Sequence, residues 1–226
     1  MKTLKTLTLV FTLSIIVACS NDDAPTETPV VYNLETDRKA LIEIYNANIN
    51  NTLTWDIAAT DVSTWDGITV ENNRVAVLSI GNKNMETLPA SALQKLTALR
   101  NLVANSNGLE SIDVSGNVNL KNLQLFNNQL ESIDITHNVL LEQLLVENNN
   151  LEHLDVSMLT NLTDLKAGSN NFTDMVNIAN GNNSNMWRMN IGPNINLSCI
   201  QVDLGATNGF NGWSKPMNAS YSTNCP

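Results

Sequence analysis

Few residues of the chain have types and spacing that could do chemistry, and the most regular of them are three aspartates. Asp113, Asp134 and Asp155 recur every 21 residues. Carboxylates stacked one strand spacing apart repel one another, and a calcium ion could bridge them. The alternative, which we favour, is that each carboxylate bonds the hydroxyl residue two positions later or points into water. The sequence therefore predicts no metal site.

The other catalytic residue types form no recognisable constellation. His137 and His153 fall at different positions of the 21-residue period, and neither belongs to a nucleophile or metal motif. The chain contains no GxSxG, HExxH, phosphate-loop or dinucleotide-binding fingerprint. We therefore expect no catalytic residue, no cofactor and no enzyme activity.

The composition narrows the class of partner. Of the 226 residues, 42% are hydrophobic, which is too many for a disordered chain. With 12 basic and 22 acidic residues, the formal charge is -10. A surface that follows nucleic-acid phosphates needs clustered lysine and arginine, so we do not expect nucleic acid as a partner. The most unusual figure is the 37 asparagines, because asparagine favours turns over helices and strands.

A 21-residue repeat accounts for many of these asparagines. The string LxxLxLxxNxL occurs four times without a gap. Alternate strand residues point to opposite faces, so the leucines point inward and neighbouring turns must stack to bury them. The asparagines are predicted to form a ladder whose amides bond the backbone of their own and adjacent turns. The repeats begin at Leu99, Leu120, Leu141 and Leu162, and their asparagines are Asn107, Asn128, Asn149 and Asn170.

Two less regular turns flank these four. One runs from Val75 to Pro89 and has Lys83 in the asparagine position, and the other runs from Met186 to Asn194. The repeats are thus predicted over residues 75–196, in about six turns. A second apolar string within each unit, such as 112–115, predicts a strand-like back face.

This pattern resembles the leucine-rich repeat in its short bacterial form. The resemblance implies a leucine-rich repeat solenoid that is mostly β, with parallel strands stacked in about six turns. It also implies a short N-terminal helical cap and a disulfide-closed C-terminal cap.

Residues 35–74 are predicted to form the N-terminal cap. Apolar residues at helical spacing follow a suitable N-cap at Thr36 or Asp37. The segment resembles the amino-terminal cap of plant-type leucine-rich repeat proteins. That family places a cysteine pair where this chain has Ser63 and Val70, so we expect packing alone to hold the cap.

Residues 197–226 are predicted to form the C-terminal cap. If Cys19 is lipidated, Cys199 and Cys225 remain as an even pair in an oxidising compartment, where a disulfide is favoured over two free thiols. The segment LxCIxVD, the later Trp213 and the final cysteine resemble the terminal segment of many Bacteroidetes repeat proteins. That resemblance implies that the tryptophan covers the last turn and that a disulfide holds the tail.

The amino-terminal residues predict an export signal. Residues 1–18 have a basic start and an apolar stretch too short to span a bilayer, directly before Cys19. They resemble a bacterial lipoprotein signal peptide, although a plain secretory signal is the alternative. Residues 19–34 form the expected lipid-anchored flexible tether. The acidic pair after Cys19 resembles the signal that sends Bacteroidetes lipoproteins to the exterior of the outer membrane.

The outward residues of the strands are the predicted binding surface. An apolar spot at Val103, Phe126 and Leu145, surrounded by amides, is typical of a protein-binding hot spot, although scattered exposed apolar residues are also ordinary. The expected role is protein binding or adhesion to a host or bacterial surface protein. Glycan binding is the alternative, followed by an enzyme accessory with a site in the cap loops. The predicted ligand-binding residues are Val103, Asn105, Gln124, Phe126, Leu145, Glu147 and Lys166.

Overall fold

The structure, a computed structural model, describes residues 32–207 and 209–226. The predicted signal peptide, Cys19 and most of the predicted tether lie outside the described residues. Within them, no helix has the length and apolar character needed to cross a bilayer.

The N-terminal cap begins with helix α1, Leu34–Ala47. Its N-cap is Asn33, whose side-chain oxygen accepts a hydrogen bond from the backbone N–H of Thr36 at 3.0 Å. The prediction that Thr36 or Asp37 caps the helix is therefore wrong. Asp37 lies inside the helix, is fully buried, and contacts residues far away in the sequence.

Asp37 joins the cap to the first strand of the solenoid. Its carboxylate accepts two hydrogen bonds from the Arg74 guanidinium, both at 2.8 Å, and a third from the Val75 backbone N–H at 2.8 Å. Arg74 also donates to the Lys95 carbonyl and the Thr97 hydroxyl. The expectation that packing alone holds the cap is thus wrong, because a buried ion pair takes part.

Within the described residues, the solenoid is built on one sheet of eight strands, of which seven are parallel to one another. The antiparallel strand β1 (Ile68–Glu71) pairs with β2 (Arg74–Ser79) and covers the first edge. Each following strand pairs with the equivalent residues of the next turn, so the sheet has one more turn than the six predicted. The sheet contains, in spatial order after β1, β2 (Arg74–Ser79), β3 (Asn101–Val103), β4 (Asn122–Gln124), β5 (Gln143–Leu145), β6 (Asp164–Lys166), β8 (Arg188–Asn190) and β10 (Trp213–Ser214).

The back of the solenoid is strand-like only near its C-terminal end. There β7 (Asp174–Asn177), β9 (Leu197–Gln201) and β11 (Ser220–Ser222) form a second parallel sheet. The first back segment instead contains a short helix, α2 (Ala90–Leu93). The next back segments are extended without ladder pairing, apart from one bridge between Asp155 and Asn177. The predicted back strand is therefore correct for the last turns and wrong for the middle ones.

The repeat leucines form one continuous core. Leu102, Leu123, Leu144, Leu165 and Met189 occupy the same position on successive strands, and each is fully buried. They belong to the same hydrophobic cluster as the cap residues. Because no single turn could bury its leucines alone, this stack is what holds the strand face flat and continuous.

The asparagine ladder predicted from the repeat is present. The Asn149 amide donates to the carbonyls of Leu125 at 3.0 Å and Val146 at 3.1 Å, and its oxygen accepts from the Leu130 N–H at 3.0 Å. One side chain thus pairs backbone groups of three segments where the chain turns inward. The ladder comprises Asn107, Asn128, Asn149, Asn170 and Asn194, each donating to carbonyls of its own and the preceding turn.

The C-terminal cap is closed by a disulfide between Cys199 and Cys225, as predicted. Cys199 lies in β9, and β11 precedes Cys225 by a few residues. Trp213 packs over the final turn and donates its indole N–H to the Met186 carbonyl at 3.0 Å. The segment around Ile200 forms β9, and β10 and β11 follow it along the chain.

Removing the disulfide is expected to loosen the C-terminal cap. The bond closes a segment with a sequence separation of 26, and the chain-entropy model gives about 3.5 kcal/mol for a loop of this size. Urea unfolding of the Cys199→Ser, Cys225→Ser double variant should show that loss. Reduced wild type should match the variant, and a variant as stable as oxidised wild type would contradict the prediction.

Candidate functional site

The candidate site is the strand face. We define it as the outward side chains of β2 to β6 and β8, the residues directly following these strands, and the exposed Trp187 directly before β8. Pairing in register arranges these side chains in three columns that run across the turns. The first column is Val77, Asn101, Asn122, Gln143, Asp164 and Arg188; the second is Ser79, Val103, Gln124, Leu145, Lys166 and Asn190; the third is Gly81, Asn105, Phe126, Glu147, Gly168 and Gly192.

A network of side-chain amides fixes the middle of this face. The Asn122 amide donates to Asn101 Oδ1 at 2.9 Å, and Gln124 donates to Gln143 Oε1 at 2.9 Å. Gln143 in turn donates to Asp164 Oδ2 at 2.7 Å. Since each amide is held by a neighbour, the face presents a fixed pattern of donors and acceptors.

The network ends in an ion pair that the sequence did not reveal. Arg188 donates to both oxygens of Asp164, at 2.6 and 2.5 Å, and the carboxylate is only 2% exposed. These hydrogen bonds raise the pKa of the Arg188 guanidinium above its usual value. The guanidinium lies 4.5 Å from the ring centre of Trp187, a cation–π contact. Trp187 is 59% exposed, so the strand face has a large aromatic side chain at its C-terminal end.

The predicted apolar spot is smaller than the sequence pattern indicates. Val103 and Phe126 lie on the strand face and are half-buried. Leu145 is only 7% exposed, although it follows the core residue Leu144 and therefore points away from the core. It does not belong to the hydrophobic core cluster. Its neighbours on the strand face must therefore cover it. The three residues are close together as expected, but Leu145 adds little exposed apolar surface.

The predicted charged residues also meet on the strand face. Lys166 Nζ lies 3.6 Å from Glu147 Oε1. The other oxygen of Glu147, Oε2, is buried and has no hydrogen-bond donor among the described residues. Asn105 donates to the Ser106 hydroxyl at 3.1 Å. The seven predicted ligand-binding residues thus occupy one surface, while their role in binding stays a prediction.

Glycine makes the third column recede next to Glu147. A Cβ at Gly168 would lie 2.2 Å from the Gly192 carbonyl oxygen, so only glycine allows the two turns to approach this closely. The strand face therefore has a backbone floor beside the Glu147 carboxylate, between the half-buried Phe126 and the last turn.

The aspartate column forms the local hydrogen bonds expected from its sequence. Asp113 Oδ1 accepts from the Ser115 N–H at 2.9 Å and hydroxyl at 2.6 Å, and Asp134 makes the same pair of bonds with Thr136. The hydroxyl bonds, followed by the backbone bonds, lower the pKa of both carboxyls. Within the described residues, no group of three or more His, Cys, Asp and Glu could hold a metal ion.

The chain is similar in structure to plant receptor ectodomains. The leucine-rich repeat ectodomain of the receptor kinase SOBIR1 from Arabidopsis thaliana matches with a TM-score of 0.60 and 18% identity, over 73% of this chain and 96% of that one. A chain of the BIR3–SERK2 complex from Arabidopsis thaliana matches with a TM-score of 0.50 and 22% identity, over 61% of this chain and 83% of that one.

Sequence similarity is narrower. The probable inactive receptor kinase RLK902 of Arabidopsis thaliana is 30% identical over 82 residues, which are 36% of this chain and only 13% of that protein. No family model matches the chain. At these identities the structural likeness establishes the fold, and together with the repeats and the asparagine ladder it shows that this chain has the leucine-rich repeat fold.

Proposed function

We propose that this protein is a non-enzymatic cell-surface module that binds a protein partner through its strand face. The observation that carries the proposal is the rigid, mixed surface around Phe126, Gln143 and Asp164, in which polar side chains are already held in place. Because a fold alone does not fix function, it is this surface that supports the proposed role.

Preorganisation supports binding by the amide network. Ordering a long side chain on binding costs about 0.5–1.5 kcal/mol. Gln124, Gln143 and Arg188 are each held by a hydrogen bond before a partner arrives. Binding a partner therefore requires little further ordering of these side chains.

The chemistry of the strand face also suits a protein partner. Tryptophan and arginine are the residue types enriched in binding hot spots, and Trp187 and Arg188 lie together at the C-terminal end of the strand face. Within its three columns the strand face offers little to a sugar, because the ring of Phe126 is half-buried.

The similar structures favour the same class of partner. One of them is a protein–protein complex, between BIR3 and SERK2. We extend that class of role to this chain as part of the proposal. We further propose, from the resemblance of residues 1–18 and Cys19 to a lipoprotein signal, that the protein is lipid-anchored in a bacterial outer membrane and faces the exterior.

Trp187 provides a direct test of the proposed surface. With the full chain as bait, a protein partner recovered from surface extract and then purified should bind the Trp187→Ala variant at least about tenfold more weakly, the loss of roughly 1.4 kcal/mol or more that a hot-spot residue gives. Biolayer interferometry would measure the affinity.

Tyr32→Ala is the matched control, because Tyr32 is an exposed aromatic residue just before the N-terminal cap. Equal losses in both variants would contradict a specific strand-face role. Strong glycan-array binding that is lost in Phe126→Ala would favour the glycan alternative instead.

A further inference from the structure

The C-terminal cap contains a cavity outside the strand face. It has a volume of about 510 Å³, which lies within the range of about 300–1,000 Å³ typical of small-molecule sites. Its lining combines the loop before β8 with the loop after β9. The lining residues that matter are Gly181, Asn183, Ser184, Asp203, Gly205 and Phe210.

A rigid polar network forms one side of the cavity. Asp203 accepts from the backbone N–H groups of Gly181 and Asn183, both at 2.9 Å, through different carboxylate oxygens. The Asn183 side chain, only 1% exposed, accepts in return from the Asp203 N–H at 2.9 Å. Each oxygen of a carboxylate has a second acceptor position, so Asp203 can still take hydrogen bonds from a ligand.

An aromatic ring and open space complete the cavity. Phe210 packs edge-on against Trp213, with 5.1 Å between ring centres, and stays 39% exposed. Gly181 and Gly205 carry no side chain, and a Cβ at either position would meet nothing within 4 Å. The Ser184 hydroxyl makes no hydrogen bond to another described residue. The cavity thus combines a held aromatic ring, a fixed acceptor and a free hydroxyl.

We propose that this cavity is a binding site for a saccharide unit, separate from the strand face. The ring of Phe210 would stack on the apolar C–H face of the sugar, while Asp203 accepts and Ser184 exchanges hydrogen bonds with its hydroxyl groups. A cationic ligand fits less well, because two backbone N–H groups already offset the charge of Asp203. Phenylalanine is also a weaker cation–π partner than tryptophan.

Saturation-transfer-difference NMR on the full chain tests the proposal. The probes are glucose, galactose, mannose, N-acetylglucosamine and glucuronate at millimolar concentration, with choline as the cationic comparator. At least one saccharide should give a signal that exceeds the choline signal. Absence of any saccharide signal, or stronger binding of choline, would overturn the proposal.

Two variants locate the binding. Phe210→Leu keeps apolar bulk but removes the ring, and should weaken saccharide affinity about tenfold. Ser184→Ala changes an exposed residue that makes no structural bond, so its expected severalfold loss serves as the measure if Phe210→Leu unfolds the cap. Tyr32→Leu is the aromatic control and should bind as wild type does. Saccharide binding that Ser184→Ala and a folded Phe210→Leu leave unchanged would refute the site.

Discussion

Replacing Asp37 with alanine should lower the free energy of unfolding by about 3–5 kcal/mol, the usual cost of removing one partner of a buried ion pair. The carboxylate is fully buried and accepts hydrogen bonds from Arg74 and from the Val75 backbone. Without it, the guanidinium loses its charged partner and keeps only two neutral acceptors, and the Val75 N–H loses its acceptor. Because Arg74 is 19% exposed, water could reach it in part, and we expect the lower end of the range.

Urea unfolding followed by circular dichroism measures this effect. Glu35→Ala is the matched control, since Glu35 is exposed on the same helix and forms only longer ion pairs, with Lys39 at 3.5 Å and Arg38 at 3.9 Å. Such a surface pair contributes about 0–1 kcal/mol. If the two variants lost the same stability, the ion pair would not hold the N-terminal cap to the solenoid.

Asn149→Ala should cost about 2–3 kcal/mol, because one buried N–H loses its acceptor and two carbonyls each lose one of two amide donors. The N–H is that of Leu130. The carbonyls are those of Leu125 and Val146, which keep the amides of Asn128 and Asn170. Turns of a solenoid contact only their neighbours, so the damage should centre on the adjacent turns. Hydrogen exchange should therefore show lost protection at the Leu130 amide before residues of the caps are affected.

The neighbouring Asn150 supplies the control for the ladder. Asn150 is exposed and donates a single bond of 3.4 Å to the Gln129 carbonyl. Asn150→Ala should change stability by no more than about 0.5 kcal/mol. Equal effects of the two variants would mean that the ladder position gives no special stabilisation.

The repeat made the central sheet and the ladder predictable, because a fixed period aligns equivalent residues whatever lies between them. Leu123 and Asn128 could be placed from spacing alone. The bond between Asp37 and Arg74 could not, since it joins residues far apart in the sequence outside any period. The sequence also suggested Thr36 or Asp37 as the N-cap, although Asp37 is used in this long-range pair and Asn33 caps the helix.

The strand face was only partly predictable for related reasons. From β6 to β8, the equivalent core residues Leu165 and Met189 are separated by 24 residues instead of 21. Trp187 and Arg188 therefore fall outside a strict 21-residue alignment, although register from Met189 would have placed them. The low exposure of Leu145 depends on the lengths and conformations of its neighbours, which periodicity does not describe.

Photo-crosslinking tests the central claim, that a protein partner binds the strand face. p-Benzoylphenylalanine would replace Val103 or Lys166 on the strand face and, as controls, Ser132 or His153, which are exposed outside it. With the purified partner, crosslinked product should form from the two strand-face positions and be several times weaker from the two controls. Crosslinking from Ser132 or His153 but not from Val103 or Lys166 would contradict the account.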